Sequence, residues 1–303
     1  MIKKNNKTII GVDHGYGYIK TSKTITKSGI EEMIIEPPFN EDILVYGSLV
    51  YAVGQHRTEQ PANKTENMDY YILTLAAIAK EMKEHNMRKI NDVIIAAGLP
   101  YSFMAKQSQS FKKYLTKQKN VDFTFEGIKY SINIKGAEIY PQGFPMIALN
   151  LGKNKSIEES IVDIGSRTID ILTFLNGKPI YDKCFSLDKM GTLDCVDLIN
   201  KYYLGEYQER LDEETIQNIF QNKRVSLPDD RIKFIKKVIK FYINNVCRQL
   251  DAKGIKYNVT YCGGGATVLK NYGPVIDSSC KIDDDIYGNA KGYELLAYNT
   301  TKN

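Results

Sequence analysis

Two stretches of this chain carry one pattern: a β-branched run ending in aspartate, a glycine two positions later, then a second strand-forming run. The first is KTIIGVD (7–13) followed by HGYGYIKTSKTIT, whose glycines and alternation predict a hairpin. The second is ESIVDIGSRTIDILTF (159–174), with Asp163 at the strand end and Gly165 in the turn. Its return strand runs through Phe174, and after the Asn176-Gly177 turn a third strand is expected from Lys178 to Phe185. Two such units point to a duplicated architecture. At 303 residues the chain exceeds the roughly 100–200 residues of a single core, so two domains or one large α/β domain are expected.

Strand and helix alternate between and beyond the two units. MDYYILTLAAIAKEMKEHN (68–86) reads as an amphipathic helix and NDVIIAAGLP (91–100) as a buried strand. MAKQSQSFKKYLTKQ reads as a surface helix, and 121–135 as a hairpin. AEIYPQGFPMIALNL (137–151) reads as a strand breaking at Pro141 and entering a helix whose first turn tolerates Pro145. Helices follow near 190–204 and 212–222. A long one comes next, in which Ile232, Ile235, Val238, Ile239, Tyr242, Ile243, Val246 and Leu250 form one stripe, ended by Gly254. Its Lys233, Lys236, Lys237 and Lys240 read as a solvated face. The chain closes with a strand (YNVTYC), a triple-glycine turn and a helix from Tyr287 onward. No low-complexity linker separates the halves.

Composition narrows the class. With 43% hydrophobic and 25% charged residues, 22 Gly and 9 Pro, the chain matches a soluble globular protein, not a disordered or collagenous one. The balance of 41 Lys+Arg against 36 Asp+Glu gives +5 without long basic blocks, too mild for a dedicated nucleic-acid binder. Before Asp13 the N-terminal segment has only the short run TIIG, so no secretory leader is expected, and no stretch approaches the roughly 20 apolar residues of a membrane span. Cys184, Cys195, Cys247, Cys262 and Cys280 are an odd number without CxxC spacing, far from His14, His56 and His85. That argues against a disulfide framework or zinc site and for a reducing cytoplasm.

Three segments carry chemistry. In Asp13-His14-Gly15-Tyr16-Gly17-Tyr18-Ile19-Lys20 the glycines let backbone N–H groups approach a polyphosphate, Lys20 supplies a compact positive charge, and Asp13 can hold the waters of a Mg²⁺ ion. A Gly-rich hairpin with a solvated lysine is the structural alternative. In Asp163-Ile164-Gly165-Ser166-Arg167-Thr168-Ile169-Asp170 a second strand-end carboxylate suits hydrated Mg²⁺ on ATP, with the N–H groups of Gly165, Ser166 and Arg167 turned to phosphate. The Arg167 side chain either touches phosphate or points outward, and Asp170 is either catalytic or a hairpin or ion-pair residue. In Val259-Thr260-Tyr261-Cys262-Gly263-Gly264-Gly265-Ala266-Thr267 three glycines permit close approach to a flat ligand such as adenosine, although a tight turn needs only one.

Together these segments resemble the actin, Hsp70 and sugar-kinase ATPase superfamily. GVDHGYGYIKT is similar to its first phosphate loop, IVDIGSRTIDI to its second, and YCGGGAT to its adenosine motif. IIAAGLPYSF and YGNAKGYELLAY resemble its two connecting segments, so five segments spanning 7–298 match in order. The short length, the PQG of EIYPQGFP and the DIGSRTID wording most resemble the ParM/StbA-like bacterial actins that segregate plasmids.

The resemblance implies an α/β fold of two actin-like, duplicated RNase H-like domains with small outer subdomains drawn from 21–66 and about 205–230. Domain I would be 1–155 with the C-terminal helix 287–303, and domain II 156–286. It implies an ATPase binding ATP, or GTP, with Mg²⁺ organised by Asp13 and Asp163. Gly15, Tyr16, Gly17, Lys20, Gly165, Ser166 and Arg167 would meet the phosphates, and Gly263, Gly264 and Gly265 the adenosine. Gln142 would orient the attacking water, since an amide is no strong base. Ala290 and Gly292 would be the small residues where the last helix crosses a domain interface. The implied partners are further copies in a filament and a DNA-binding adaptor of ParR type, with no sequence-specific DNA contact by the chain itself and no membrane. The alternative is a sugar or acyl kinase of the same superfamily, which would need a substrate-side general base.

Overall fold

The computed structural model describes residues 1–35, 37–55, 63–148 and 157–301. His56 and the expected boundary at 155/156 lie outside the described residues. Two compact units are formed, Met1–Leu151 with Tyr287–Asn303, and Gly152–Ile286.

The first unit contains β1 (Ile2–Lys4), β2 (Lys7–His14), β3 (Tyr18–Lys20), β4 (Ile25–Lys27), β5 (Ile30–Met33), β6 (Ile43–Tyr46) and β7 (Leu49–Val53). Then come α1 (Asp69–Glu84), β8 (Lys89–Leu99), α2 (Tyr101–Leu115), β9 (Asn120–Phe125), β10 (Ile128–Pro141) and α3 (Phe144–Ala148), and the C-terminal α8 (Gly288–Thr300) returns to this unit. One mixed sheet runs β4-β3-β2-β8-β10-β9-β6-β7-β5, with β1 on β2. At its centre β2, β8 and β10 are parallel. Such strands are covered on both faces, which is why VIIAAGL in β8 reads as a nearly unbroken apolar run.

Successive residues of a strand face opposite sides, and β2 shows what covers each. Ile10 and Val12 join the core that includes Ile72, Leu75 and Ile78 of α1, whereas Ile9 packs with Tyr293 and Ala297 of α8. Gly11 lies on the α8 side. A side chain there would overlap the Ala290 carbonyl, and its N–H donates to Glu294 Oε1 at 3.0 Å. The segment expected to form an outer subdomain is continuous with this sheet, because β6 pairs with β9 through Leu44↔Phe125 and Val45↔Thr124.

The second unit contains β11 (Glu158–Ile164), β12 (Thr168–Leu175), β13 (Lys178–Pro179), β14 (Phe185–Asp188), α4 (Thr192–Tyr207), α5 (Glu213–Phe220), α6 (Asp229–Ala252), β15 (Val259–Cys262), α7 (Ala266–Tyr272) and β16 (Lys281–Ile282). Its sheet runs β13-β12-β11-β15-β16, with β14 also on β12, and β11, β15 and β16 are parallel. The single strand expected over 178–185 is broken. Pro179 sits on an edge strand, where its missing N–H is tolerated; the Ile180 N–H still donates to the Thr173 carbonyl at 2.8 Å before the chain makes a 3-10 turn at Tyr181–Lys183 and pairs again as β14. In α6 the expected stripe is buried at Ile235, Val238, Ile239, Ile243, Val246 and Leu250, while Ile232 and Tyr242 are half-buried.

The units repeat one local device. In the first, Asp13 pairs across the hairpin with Lys20, and in the second Asp163 pairs with Asp170. Each aspartate stands near the carboxyl end of a strand with a parallel neighbour, the edge where α/β sheets bind ligands. The two-domain, mixed α/β actin-like fold implied by the sequence is the fold observed.

Candidate functional site

In the first unit three parallel strands bring their carboxyl ends together. Asp13 of β2 is 3% exposed, and Gln142, just past β10, is 8% exposed. The Gln142 N–H donates to the Leu99 carbonyl of β8 at 2.8 Å, which carries the ladder one residue beyond Pro141. Its side-chain Nε2 donates to Asp13 Oδ1 at 3.3 Å. Lys20 Nζ reaches the other oxygen, Oδ2, at 3.3 Å. Asp13 and Lys20, from one segment of the sequence, and Gln142, from a distant one, therefore form one cluster.

The hairpin turn beside them is tied from behind. Ser28 donates its hydroxyl to the Gly15 carbonyl at 2.8 Å and its N–H to the Gly17 carbonyl at 3.0 Å. A Cβ at Gly15 would stand 2.6 Å from the Tyr18 carbonyl oxygen, so this turn tolerates no side chain there. Tyr16 lies between the two tied glycines.

In the second unit Asp163, 5% exposed, ends β11 opposite Cys262 at the end of β15. The turn Gly165–Arg167 is held by α4: Thr192 and Leu193 donate N–H groups to the carbonyls of Gly165 at 3.0 Å and Ser166 at 2.8 Å. Gly191 permits this approach, since a Cβ there would overlap the Ser166 backbone. The Arg167 side chain is committed to α4, with Nη1 at 2.9 Å from Asp194 Oδ1 and 2.7 Å from Asp197 Oδ2.

The three glycines after β15 are not equivalent. Gly263 has φ +80°, and a Cβ on it would overlap Asp163 Oδ1; Gly265 is pressed on the Ile164 side chain and donates its N–H to the Ile164 carbonyl at 2.8 Å. Only Gly264 has nothing within 4 Å of an added Cβ. Packing within the unit accounts for Gly263 and Gly265, which leaves Gly264 as the glycine open to a ligand. Ala290 and Gly292 are packed inside the first unit, against Gly11 and Pro145.

Sequence reasoning missed two residues. Lys64 is 1% exposed, donates from Nζ to the His14 carbonyl, and lies 5.2 Å from the ring centroids of both Tyr16 and Tyr70. It places a buried cation directly beneath the first turn. Nothing in the polar stretch around it, PANKTEN, signals burial. His14 is fully buried, with Nδ1 3.0 Å from the Val12 carbonyl and Nε2 2.8 Å from Thr74 Oγ1. Burial, and secondarily the positive charge of Lys64, lowers its pKa to about 3, so the ring is neutral. Neutrality with one N–H fits donation from Nδ1 to Val12. As for Asp170, 2% exposed, it accepts hydroxyl bonds from Ser186 at 2.5 Å and Thr168 at 3.3 Å, which secures it within the sheet.

Among the described residues no group of three or more His, Cys, Asp or Glu could hold a metal ion, and no helix is long and apolar enough to cross a membrane.

The strand, aspartate and glycine-turn device thus occurs in both units, each time on a strand with a parallel neighbour, and comparison with known families identifies the class. Residues 11–144 match the N-terminal domain of actin-like proteins, and 161–272 match the C-terminal domain of MreB-like archaeal actin homologues. The chain belongs to the actin-like proteins. Similar solved structures include a ParM from Clostridium botulinum, determined as a 15-stranded filament, at 19% identity and TM-score 0.77 over 97% of this chain and 100% of that one. Ta0583, an archaeal actin homologue in complex with ADP, is 19% identical at TM-score 0.72, covering 97% and 100%. Bacillus thuringiensis ParM with ATP is 13% identical at TM-score 0.70, covering 96% and 98%. No curated protein sequence matches the chain.

Proposed function

We propose that this protein is a nucleotide-dependent, filament-forming ATPase of the ParM type. The observation that carries the reading is the pair of strand-end aspartates, Asp13 and Asp163, each buried and each followed by a glycine turn whose carbonyls are tied from behind. Relatives of the same fold hold ADP and ATP, and one is a filament.

The residues fit Mg²⁺–ATP. Mg²⁺ keeps several waters and is usually held by one or two carboxylates together with phosphate oxygens, so the buried strand-end aspartates would suit it. When bound, the ion would neutralise phosphate charge. Lys20 holds a positive charge on Asp13; the backbone of Gly15–Gly17 and Gly165–Arg167 would hold the phosphates, and Gly264 would meet the base. Gln142, anchored by its backbone to Leu99 and by its amide to Asp13, would position the attacking water rather than take its proton.

The filament would move or position plasmid DNA in the cytoplasm through an adaptor of ParR type. Recognition belongs to the adaptor, because a charge of +5 spread over 303 residues supplies only a weak, salt-sensitive attraction to phosphate.

Light scattering of the purified protein with ATP, ADP or no nucleotide, followed by negative-stain microscopy, tests the assembly. Scattering that rises with Mg²⁺–ATP and shows filaments is expected, and a flat signal in all three conditions refutes it. DNA co-pelleting at near-physiological salt tests the adaptor. A clear preference for a plasmid centromere over scrambled DNA, without a second protein, overturns that part.

A further inference from the structure

The loop joining β5 to β6 exposes Ile34, Ile35 and Phe39 to 102%, 78% and 80%. Clustered large apolar side chains in water mark a surface that binds something. Glu31, Glu32 and Glu41 flank them, all exposed, and no ion pair engages these three carboxylates among the described residues. The loop is held at its return: Ile43 donates its N–H to the Asn40 carbonyl at 3.2 Å, and Lys80 pairs with Asp42 at 2.7 Å. The loop therefore presents three exposed apolar side chains flanked by acids, a knob on this unit.

The second unit carries a matching hole. A cavity of about 280 Å³ opens between the end of α5, residues 222–228 and the start of α6. Ile219, Val225, Leu227 and Ile232 supply the apolar part of a lining that is otherwise polar. Three cations, Lys223, Arg224 and Lys236, stand at it against one acid, Asp229. A cavity of about 150 Å³ takes a benzene ring, so this one has room for the Phe39 ring and part of an isoleucine. It shares no residue with the strand-end turns, and beyond it the outer face of α6 continues the positive charge with the exposed Lys233, Lys237 and Lys240.

We propose that Phe39 of one copy docks in this cavity on a second copy of the chain, with Ile34 and Ile35 packing at its rim and Glu31, Glu32 and Glu41 meeting Lys223, Arg224 and Lys236. Knob and hole are different surfaces, so the contact is heterologous. Each copy that uses its knob keeps its hole free, and the contact repeats into an open polymer unless the rotation closes a ring. This rests on the self-assembly proposed above and names its interface.

Charge reversal on either side tests it. The loop variant is Glu31→Lys with Glu32→Lys, and the cavity variant is Lys223→Glu with Arg224→Glu. All four residues are exposed, so both variants should keep the wild-type melting curve. Sedimentation with Mg²⁺–ATP should show each variant alone losing at least tenfold in pelletable polymer. An equimolar mixture should pellet again, because each variant's knob then meets a hole of opposite charge on the other, a rescue no misfolded protein can give. Either variant pelleting like wild type overturns the contact, as does a mixture that stays in the supernatant, and in both cases the assembly reading stands. A wild-type protein that never pellets removes the assembly reading and this contact with it.

Discussion

The triple glycine after β15 offers the sharpest separation of packing from ligand binding. An alanine at position 263 would have to adopt φ +80°, with its Cβ inside the Asp163 Oδ1 contact distance and 2.8 Å from the Ile164 carbonyl oxygen. Left-handed backbone costs an alanine roughly 1–2 kcal/mol, and overpacking of this kind adds roughly 1–3 kcal/mol. Together, Gly263→Ala should lose about 2–5 kcal/mol, which at about 2–4 °C per kcal/mol lowers the melting temperature by roughly 4–20 °C. Gly264→Ala meets nothing within 4 Å, so its melting temperature should stay within about 1 °C of wild type. If the Gly264 backbone lies against the nucleotide base, the added methyl should instead weaken binding of a fluorescent ATP analogue at least tenfold. Circular dichroism melts and nucleotide titration of both variants read the two effects separately. An unperturbed Gly263→Ala together with an unfolded Gly264→Ala would refute the packing argument, and full nucleotide affinity in Gly264→Ala would refute the ligand assignment.

Three further outcomes are expected. Gln142→Ala should slow hydrolysis with little change in ATP affinity and lengthen polymer lifetime, read by phosphate release and by the decay of scattering; loss of ATP binding with unchanged turnover of the bound fraction would make it structural. His14 has a pKa lowered from 6.5 to about 3, so the unfolded chain binds the proton first: its contribution is complete above about pH 6.5 and falls with pH, by about 2 kcal/mol at pH 5. In denaturant titrations at pH 7 and pH 5, His14→Gln should show a smaller pH loss than wild type, and equal losses would contradict the assignment. Lys64→Met leaves the buried His14 carbonyl without this donor and should cost about 1–3 kcal/mol in thermal or denaturant unfolding, whereas wild-type stability would mean that the bond carries no weight.

The elements were legible where local pattern decides structure. KTIIGVD, NDVIIAAGLP and the apolar stripe of 235–250 each show their period in a short window, and the Gly-containing turns after Asp13 and Asp163 mark hairpins in register. Pairings between distant segments were not legible. That Gln142 meets Asp13 follows from β10 lying beside β8 and β8 beside β2, a fact of sheet order absent from any window. Lys64 sits among polar residues, and its burial comes from Tyr16 and Tyr70 closing over it. Arg167 was read with two outcomes because its partners, Asp194 and Asp197, arrive on a helix that begins 25 residues later (192 − 167). Three adjacent glycines show a turn, but only the backbone reveals that two of them answer to β11.

The measurement that bears most directly on the account is phosphate release from Mg²⁺–ATP by wild-type protein, Asp13→Ala and Asp163→Ala, with nucleotide binding followed in parallel. The proposed function makes both aspartates holders of the hydrated metal, so each variant should lose hydrolysis at least a hundredfold while keeping measurable affinity for the nucleotide through its base and ribose. Release at the wild-type rate from Asp163→Ala would contradict the claim that the two turns serve one reaction.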